Sequence, residues 1–153
     1  MGAGRIGHIH ARNIAAHQGA RLVGIADPDV GAASRLAQSC GSQVISLDAA
    51  FSAQAVLIAS PTPTHADFIE AAANAGQAIF CEKPIDLSVQ RVEDCLATVR
   101  RTGVALMVGF NRRFDPHFAE LKRRLDAGAI GRLEMLTIIS RDPSPPPLAY
   151  VAV

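Results

Sequence analysis

The chain is short of net charge, of cysteine and of long hydrophobic runs, and each shortage removes a class of function. Lysine and arginine number 15 against 14 aspartates and glutamates, a formal net charge of +1, which argues against a nucleic-acid-coating or strongly acidic protein. No apolar stretch approaches the roughly 20 residues needed to cross a bilayer, so no membrane partner is expected. The first residues also lack the basic-then-apolar layout of a secretion signal. Cys40, Cys81 and Cys95 are odd in number, widely spaced and contain no CxxC pair. They read as buried free thiols in a reducing, cytoplasmic compartment rather than a disulfide framework or a metal site. Aromatic residues are 5% of the chain, and none interrupts the basic run Lys122-Arg123-Arg124. That run therefore reads as a solvated helix face, with no nucleic-acid partner. There is no internal repeat, and the proline tract over residues 143–147 is the only low-complexity piece. What remains is 153 residues, 49% hydrophobic, enough for one globular domain with a core.

The most informative stretch is Phe80-Cys81-Glu82-Lys83-Pro84. A short apolar run over residues 78–81 stops at a lysine followed by proline, which reads as a buried parallel strand ended where the backbone loses a donor. Lys83 then stands at the carboxyl end of a strand, where ligands bind in open α/β sheets. The plainer alternative is a solvated lysine at a strand end.

Gly2-Ala3-Gly4-Arg5-Ile6-Gly7 fits GxGxxG. In a dinucleotide fold the first glycine makes the tight turn, the second admits the pyrophosphate and the third lets helix and strand pack closely. The following helix presents free backbone donors to phosphate. A helix is expected over residues 6–17, with Ile6, Ile9 and Ile14 as its apolar side. A strand over 21–26 ends in Asp27, about twenty residues beyond Gly7, the spacing at which an acidic residue accepts from the adenosine ribose hydroxyls. Asp27 also fits a plain Asp27-Pro28-Asp29 turn. No arginine follows directly to receive a 2′-phosphate, so NAD is favoured over NADP.

Further on, the pattern predicts a helix over 30–40, a brief strand over 43–45 and a buried strand over 55–59 that delivers Ser60-Pro61-Thr62-Pro63-Thr64-His65. Thr64 is expected to cap the next helix, in which Phe68, Ile69 and Ala72 pack inward. His65 read by itself is a surface histidine in the first helical turn. After the Lys83 turn, Ser88 caps a helix ending at Gly103, with Val89, Val92, Leu96 and Val99 at helical spacing. A strand over 104–109 brings Phe110-Asn111-Arg112-Arg113-Phe114 to the same rim. Paired arginines usually mark a solvated face, and at a strand end they can also anchor a hydroxyl or phosphate. A helix over 115–127 follows, with Phe118, Leu121 and Leu125 inward, then a turn over 128–131 and a strand over 133–140.

This alternation is that of a doubly wound α/β domain. With Gly2 to Gly7, Ala26-Asp27, the Ser60-Pro61-Thr62 to His65 loop, Glu82-Lys83-Pro84, Gly109 to Asp115 and Gly128 to Leu133, the chain resembles the Gfo/Idh/MocA oxidoreductase family. Asn111-Arg112-Arg113-Phe114-Asp115 and Ser140-Arg141-Asp142-Pro143 make it look most like the family's myo-inositol 2-dehydrogenase branch. The resemblance implies NAD as cofactor and oxidation of a secondary alcohol on a cyclic polyol or sugar. Lys83 would be the catalytic lysine, hydrogen-bonded to the reacting hydroxyl, and Arg112 would reach toward substrate or nicotinamide. Gly2, Gly4, Arg5, Ile6, Gly7 and Asp27 would hold the dinucleotide, with Ser60, Thr62 and His65 along it and Glu82 by the nicotinamide ribose. It further implies a homo-oligomer, dimer or tetramer.

Two departures from the family pattern shape the expected fold, a Rossmann-type parallel sheet. The first strand, which should precede Gly2, is largely missing, leaving strands 21–26 and 55–59 without their common neighbour. Residues 1–127 are expected to be the NAD-binding domain and 128–153 only the start of a substrate and oligomerisation domain, whose first strand would be unpaired. The chain therefore reads as a fragment with little or no dehydrogenase activity by itself. The rival reading is a non-catalytic dinucleotide-binding sensor or regulatory subunit. The enzymatic reading requires the Lys83 side chain and the glycine turn to serve opposite ends of one nucleotide.

Overall fold

The computed structural model describes residues 1–141, 144 and 145. The chain divides into two compact units, Met1–Phe110 and Asn111–Val153. The first is α/β: α1 (Arg5–Ala16), α2 (Val30–Ser39), α3 (Leu47–Ala50), β1 (Ala55–Ile58), α4 (His65–Asn74), β2 (Ala78–Cys81), α5 (Val89–Thr102) and β3 (Leu106–Val108). β1, β2 and β3 form a parallel sheet in that order. The register pairs Ile58 with Cys81 and Cys81 with Val108, so all three strands end level and release the chain at one edge.

One face of this sheet is covered by α4 and α5, while on the other Met107 is 45% exposed. Val56, Ile58, Ile79 and Cys81 from the strands pack with Ile69 and Ala72 of α4 and with Cys95 and Val99 of α5. The end signals expected of α5 operate: Ser88 Oγ accepts from the Arg91 amide at 3.4 Å, and Gly103 takes φ +70°, the left-handed conformation that glycine reaches without a Cβ clash. Thr64 does not cap α4; its Oγ1 donates instead to the Pro61 carbonyl, 2.8 Å away. A double ion pair from Arg91 to Glu70 and Asp67, each at 2.6 Å, joins α5 to α4.

A second cluster joins Ala3, Ala11 and Ile25 to Ala33, Leu36 and Ala37 of α2. The expected strand over 21–26 is reduced here to one isolated parallel bridge, Ile25 with Val44. The reason lies in its neighbour. Only Met1 and Gly2 occupy the space between this segment and β1: Met1 donates to Leu57 O and accepts from Ala59 N, while Gly2 donates to Ala26 O at 2.9 Å. Two residues satisfy the flanking backbone groups without building a ladder across them.

The buried side of α1 also differs from the expected one. Ile9 is 52% exposed, and the buried positions are Gly7 and Ala11. The helix approaches the glycine turn so closely that only small residues fit. Cys81 and Cys95 are buried, while Cys40 is half-buried.

In the second unit, α6 (Pro116–Asp126) starts with Asp115 Oδ1 accepting from the amides of His117 and Phe118, at 2.8 and 3.3 Å. Leu121 is 41% exposed, so only Phe118 and Leu125 of the expected apolar side are partly covered. Lys122, Arg123 and Arg124 pair with Asp126 and Glu120 along the helix. Residues 133–140 adopt no regular secondary structure: no strand lies beside them among the described residues, and apolar side chains such as Met135 (84%) and Ile139 (77%) are exposed. The expectations for Asp142, Pro143 and most of the proline tract lie outside the described residues.

Candidate active site

The glycine turn is built by contacts that exclude side chains. Gly2 has φ +96°, and a Cβ there would stand 2.5 Å from the Ala59 carbonyl oxygen; one on Gly7 would stand 2.1 Å from Gly2 O. Glycine at these two positions is what lets the start of α1 close against the end of β1. Gly4 is different: a Cβ there meets nothing within 4 Å, so the space in front of it is open. Gly4 precedes α1, whose first turn has no side-chain cap and no acidic residue. The free amides and the positive end of the helix dipole therefore face that space.

Asp27 completes the turn. Its Oδ2 accepts from the Ala3 amide at 2.7 Å and its Oδ1 from the Asp29 amide at 2.8 Å. One carboxylate thus organises the 27–29 turn and holds the glycine loop. An ionised carboxylate has about four acceptor sites, so the two amide bonds leave capacity for further donors.

These parts surround one cleft of about 300 Å³, lined by Gly2, Gly4, Arg5, Ile6 and Asp27 on one side and by Ala59, Ser60 and Pro61 on the other. Six residues expected at the dinucleotide, Gly2, Gly4, Arg5, Ile6, Asp27 and Ser60, are brought together here. Gly7 lies behind them, buried. Thr62, His65, Glu82 and Lys83 do not line the cleft.

Lys83 is exposed at the exit of β2. It follows Cys81 by two residues, as Ser60 follows Ile58, and Ile58 and Cys81 are partners in the ladder. Ser60 and Lys83 are therefore equivalent points on adjacent strands, at one edge of the sheet. The glycine turn reaches that edge from the side of β1 through Ala59 and Ser60.

Glu82 sits below the lysine. Its amide donates to Ile58 O at 2.9 Å, its Oε2 accepts from the Lys83 amide at 3.3 Å, and its Oε1 lies 2.7 Å from His10 Nε2. A Cβ on Gly109 would be 3.1 Å from this carboxylate, so the glycine after β3 makes room for it. His10 also meets the Phe80 ring edge-on, with centroids 5.1 Å apart. Sequence reasoning passed over His10. Its signal was its spacing: three residues after Gly7, it lies on the inward face of α1.

His65 is not at the surface. It is 2% exposed, with Nε2 2.7 Å from Ser60 O and Nδ1 2.7 Å from Pro84 O. Burial, with Glu82 nearby as a further cause, pushes the Cys81 thiol up to about 12, so it is inert beneath the rim. Arg112, in the second unit, lies 5.6 Å over the Phe118 ring and donates to Ser140 Oγ at 2.8 Å.

Comparison with known proteins agrees with this fold. Residues 1–110 match the model of the Gfo/Idh/MocA oxidoreductase family, NAD-binding Rossmann fold. The chain is 53% identical over 154 residues to an inositol 2-dehydrogenase of Rhizobium meliloti, an alignment covering 99% of this chain and 47% of that protein. A crystal structure of a myo-inositol dehydrogenase from Corynebacterium glutamicum superposes with a TM-score of 0.90 at 46% identity, over 99% of this chain and 46% of that one. A scyllo-inositol dehydrogenase from Lactobacillus casei, solved with bound NAD(H) and scyllo-inositol, gives 0.79 at 33% identity, over 85% and 40%. The chain spans about half the length of the curated relatives it matches.

Proposed function

Since the chain belongs to the Gfo/Idh/MocA oxidoreductase family, with that family's NAD-binding Rossmann fold, we propose that it supplies the cofactor-binding part of an NAD-dependent inositol dehydrogenase. The observation that carries this reading is the level ending of β1 and β2. It puts Lys83 on the same sheet edge as Ser60, which lines the cleft in front of the glycine turn.

The residues present fit a dinucleotide. The open space before Gly4 and the uncapped amides of α1 suit a pyrophosphate. The spare acceptor capacity of Asp27 suits ribose hydroxyls, and its charge opposes a 2′-phosphate, which favours NAD over NADP. When bound, NAD supplies the hydride acceptor. Lys83 hydrogen-bonds the reacting hydroxyl of a cyclic polyol, with myo-inositol the first candidate, and its Nζ takes or relays the proton released as the alcohol becomes a ketone. Glu82, held by His10, stands beside the nicotinamide ribose, and Thr62 and His65 back the Ser60 side of the site. Arg112 contributes to substrate or nicotinamide binding, and residues 128–153 open the part that binds substrate and builds the oligomer. The free thiols Cys40, Cys81 and Cys95 support a cytoplasmic setting.

Calorimetric titration of NAD, followed by an assay of the protein carrying this chain on myo-inositol, scyllo-inositol and glucose, tests the proposal. NAD binding with inositol-dependent NADH formation is the expected result. NAD binding without oxidation of any of the three would replace it with a non-catalytic dinucleotide binder.

A further inference from the structure

His65 is the most deeply buried polar side chain at the rim, 2% exposed, and each of its ring nitrogens lies 2.7 Å from a main-chain carbonyl oxygen. A carbonyl only accepts, so each contact is a hydrogen bond only if that nitrogen carries a proton. The two acceptors belong to different strand exits. Ser60 follows β1, and Pro84 follows β2 directly after Lys83. The ladder between β1 and β2 ends at Ile58 and Cys81 with a last backbone bond from the Glu82 amide to Ile58 O, short of Ser60 and Pro84. The imidazole spans this gap, anchored by its own place at the start of α4, a helix packed on the same strands.

We propose that His65 is a positioning residue: by donating from both ring nitrogens to Ser60 and Pro84, it fixes the Lys83 turn against the loop that lines the cofactor cleft. The catalytic consequence rests on the dehydrogenase reading given above, whereas the double donation rests on the geometry of the ring alone. A rigid ring with a nitrogen on each edge suits the task. Asparagine or glutamine cannot replace it, because the amide's oxygen end would face one of the two carbonyls. Freeing the Pro84 carbonyl would let the lysine drift while leaving the glycine turn and Asp27 in place. The expected defect is therefore in turnover rather than in dinucleotide affinity.

Two measurements on the protein carrying this chain decide the matter. Nitrogen-15 NMR of the wild-type imidazole should show protons on both ring nitrogens of His65. His65→Asn and His65→Gln should lower kcat on the order of ten- to a hundredfold, as expected for a misplaced catalytic group, while the NAD dissociation constant changes much less. A single ring proton overturns the proposal, as do unchanged kcat in a folded variant or equal losses in kcat and NAD affinity. If neither variant folds, the wild-type spectrum still decides between one ring proton and two. Two ring protons in a protein that oxidises no polyol would sustain the double donation and overturn the enzymatic reading instead.

Discussion

Removing the Asp27 carboxylate separates its structural task from its proposed role in binding. Asp27 takes two backbone amides, from Ala3 at 2.7 Å and Asp29 at 2.8 Å, on opposite oxygens. Hydrogen bonds to a charged acceptor are worth about 1.5–3 kcal/mol each, and a half-buried site lets water recover part of the loss. Asp27→Ala should therefore destabilise the protein by roughly 2–4 kcal/mol, read as a lower denaturant midpoint. Asp27→Asn keeps one acceptor oxygen and should lose about half as much. For the dinucleotide, loss of one ribose bond of similar strength corresponds to roughly ten- to a hundredfold weaker NAD binding. The preference for NAD over NADP should shrink as well, because the charge opposing a 2′-phosphate is gone. Calorimetry with both cofactors, under conditions where the variants remain folded, measures the affinity and the preference, and denaturant unfolding measures the stability. A stability loss with NAD affinity and NAD/NADP preference both unchanged would refute the binding role and leave Asp27 as a turn residue.

The remaining expectations concern the lysine, the glycines and the thiols. Lys83→Ala should reduce kcat far more than NAD affinity, since Lys83 stands outside the cleft and would act on the reacting hydroxyl; parallel losses would make it a binding residue. Gly7→Ala places a Cβ 2.1 Å from Gly2 O and should cost about 1–3 kcal/mol or more as backbone is forced apart. Gly4→Ala meets open space in the free protein and should weaken NAD binding with little effect on stability; equal thermal shifts in the two variants would contradict this division. Burial pushes the Cys81 thiol up to about 12 and the Cys95 thiol up to about 11, above the ordinary thiol range. The unfolded chain therefore releases these protons at lower pH than the folded one, and stability should fall as pH rises from about 9 toward 11. At neutral pH iodoacetamide should label half-buried Cys40 first, with Cys81 and Cys95 reacting only on unfolding; early labelling of Cys81 would show that the sheet opens.

What the sequence made legible was the part of the fold written in local chemistry. Strand Ala78–Cys81, stopped by Lys83-Pro84, and helix Val89–Thr102, bracketed by Ser88 and Gly103, follow from backbone donors, caps and left-handed glycine, and they stand where the residues place them. The features misread depend on distant neighbours. A strand over 21–26 needs a ladder partner, and Met1 and Gly2 provide three hydrogen bonds rather than a strand. The apolar periodicity of α1 pointed to Ile9, yet the helix is seated through Gly7 and Ala11, because closeness to Gly2 outweighs apolar area. Residues 133–140 read as a strand and form none, since a strand is a property of a pair. The same logic applies to His10, which no motif singled out, and to His65, which by itself reads as a surface histidine. Glycines, Asp27 and Lys83 announce themselves by motif and spacing. His10 and His65 work by joining segments 72 and 19 residues away, and those distances in sequence leave no periodic mark. Both nevertheless converge on Glu82-Lys83-Pro84, one from α1 and one from α4, so the turn that bears the lysine is gripped from the two helices that follow the cofactor loops. A lysine placed merely for solubility would need neither grip, and that convergence is the physical argument that favours the proposed role of Lys83 over a solvated one.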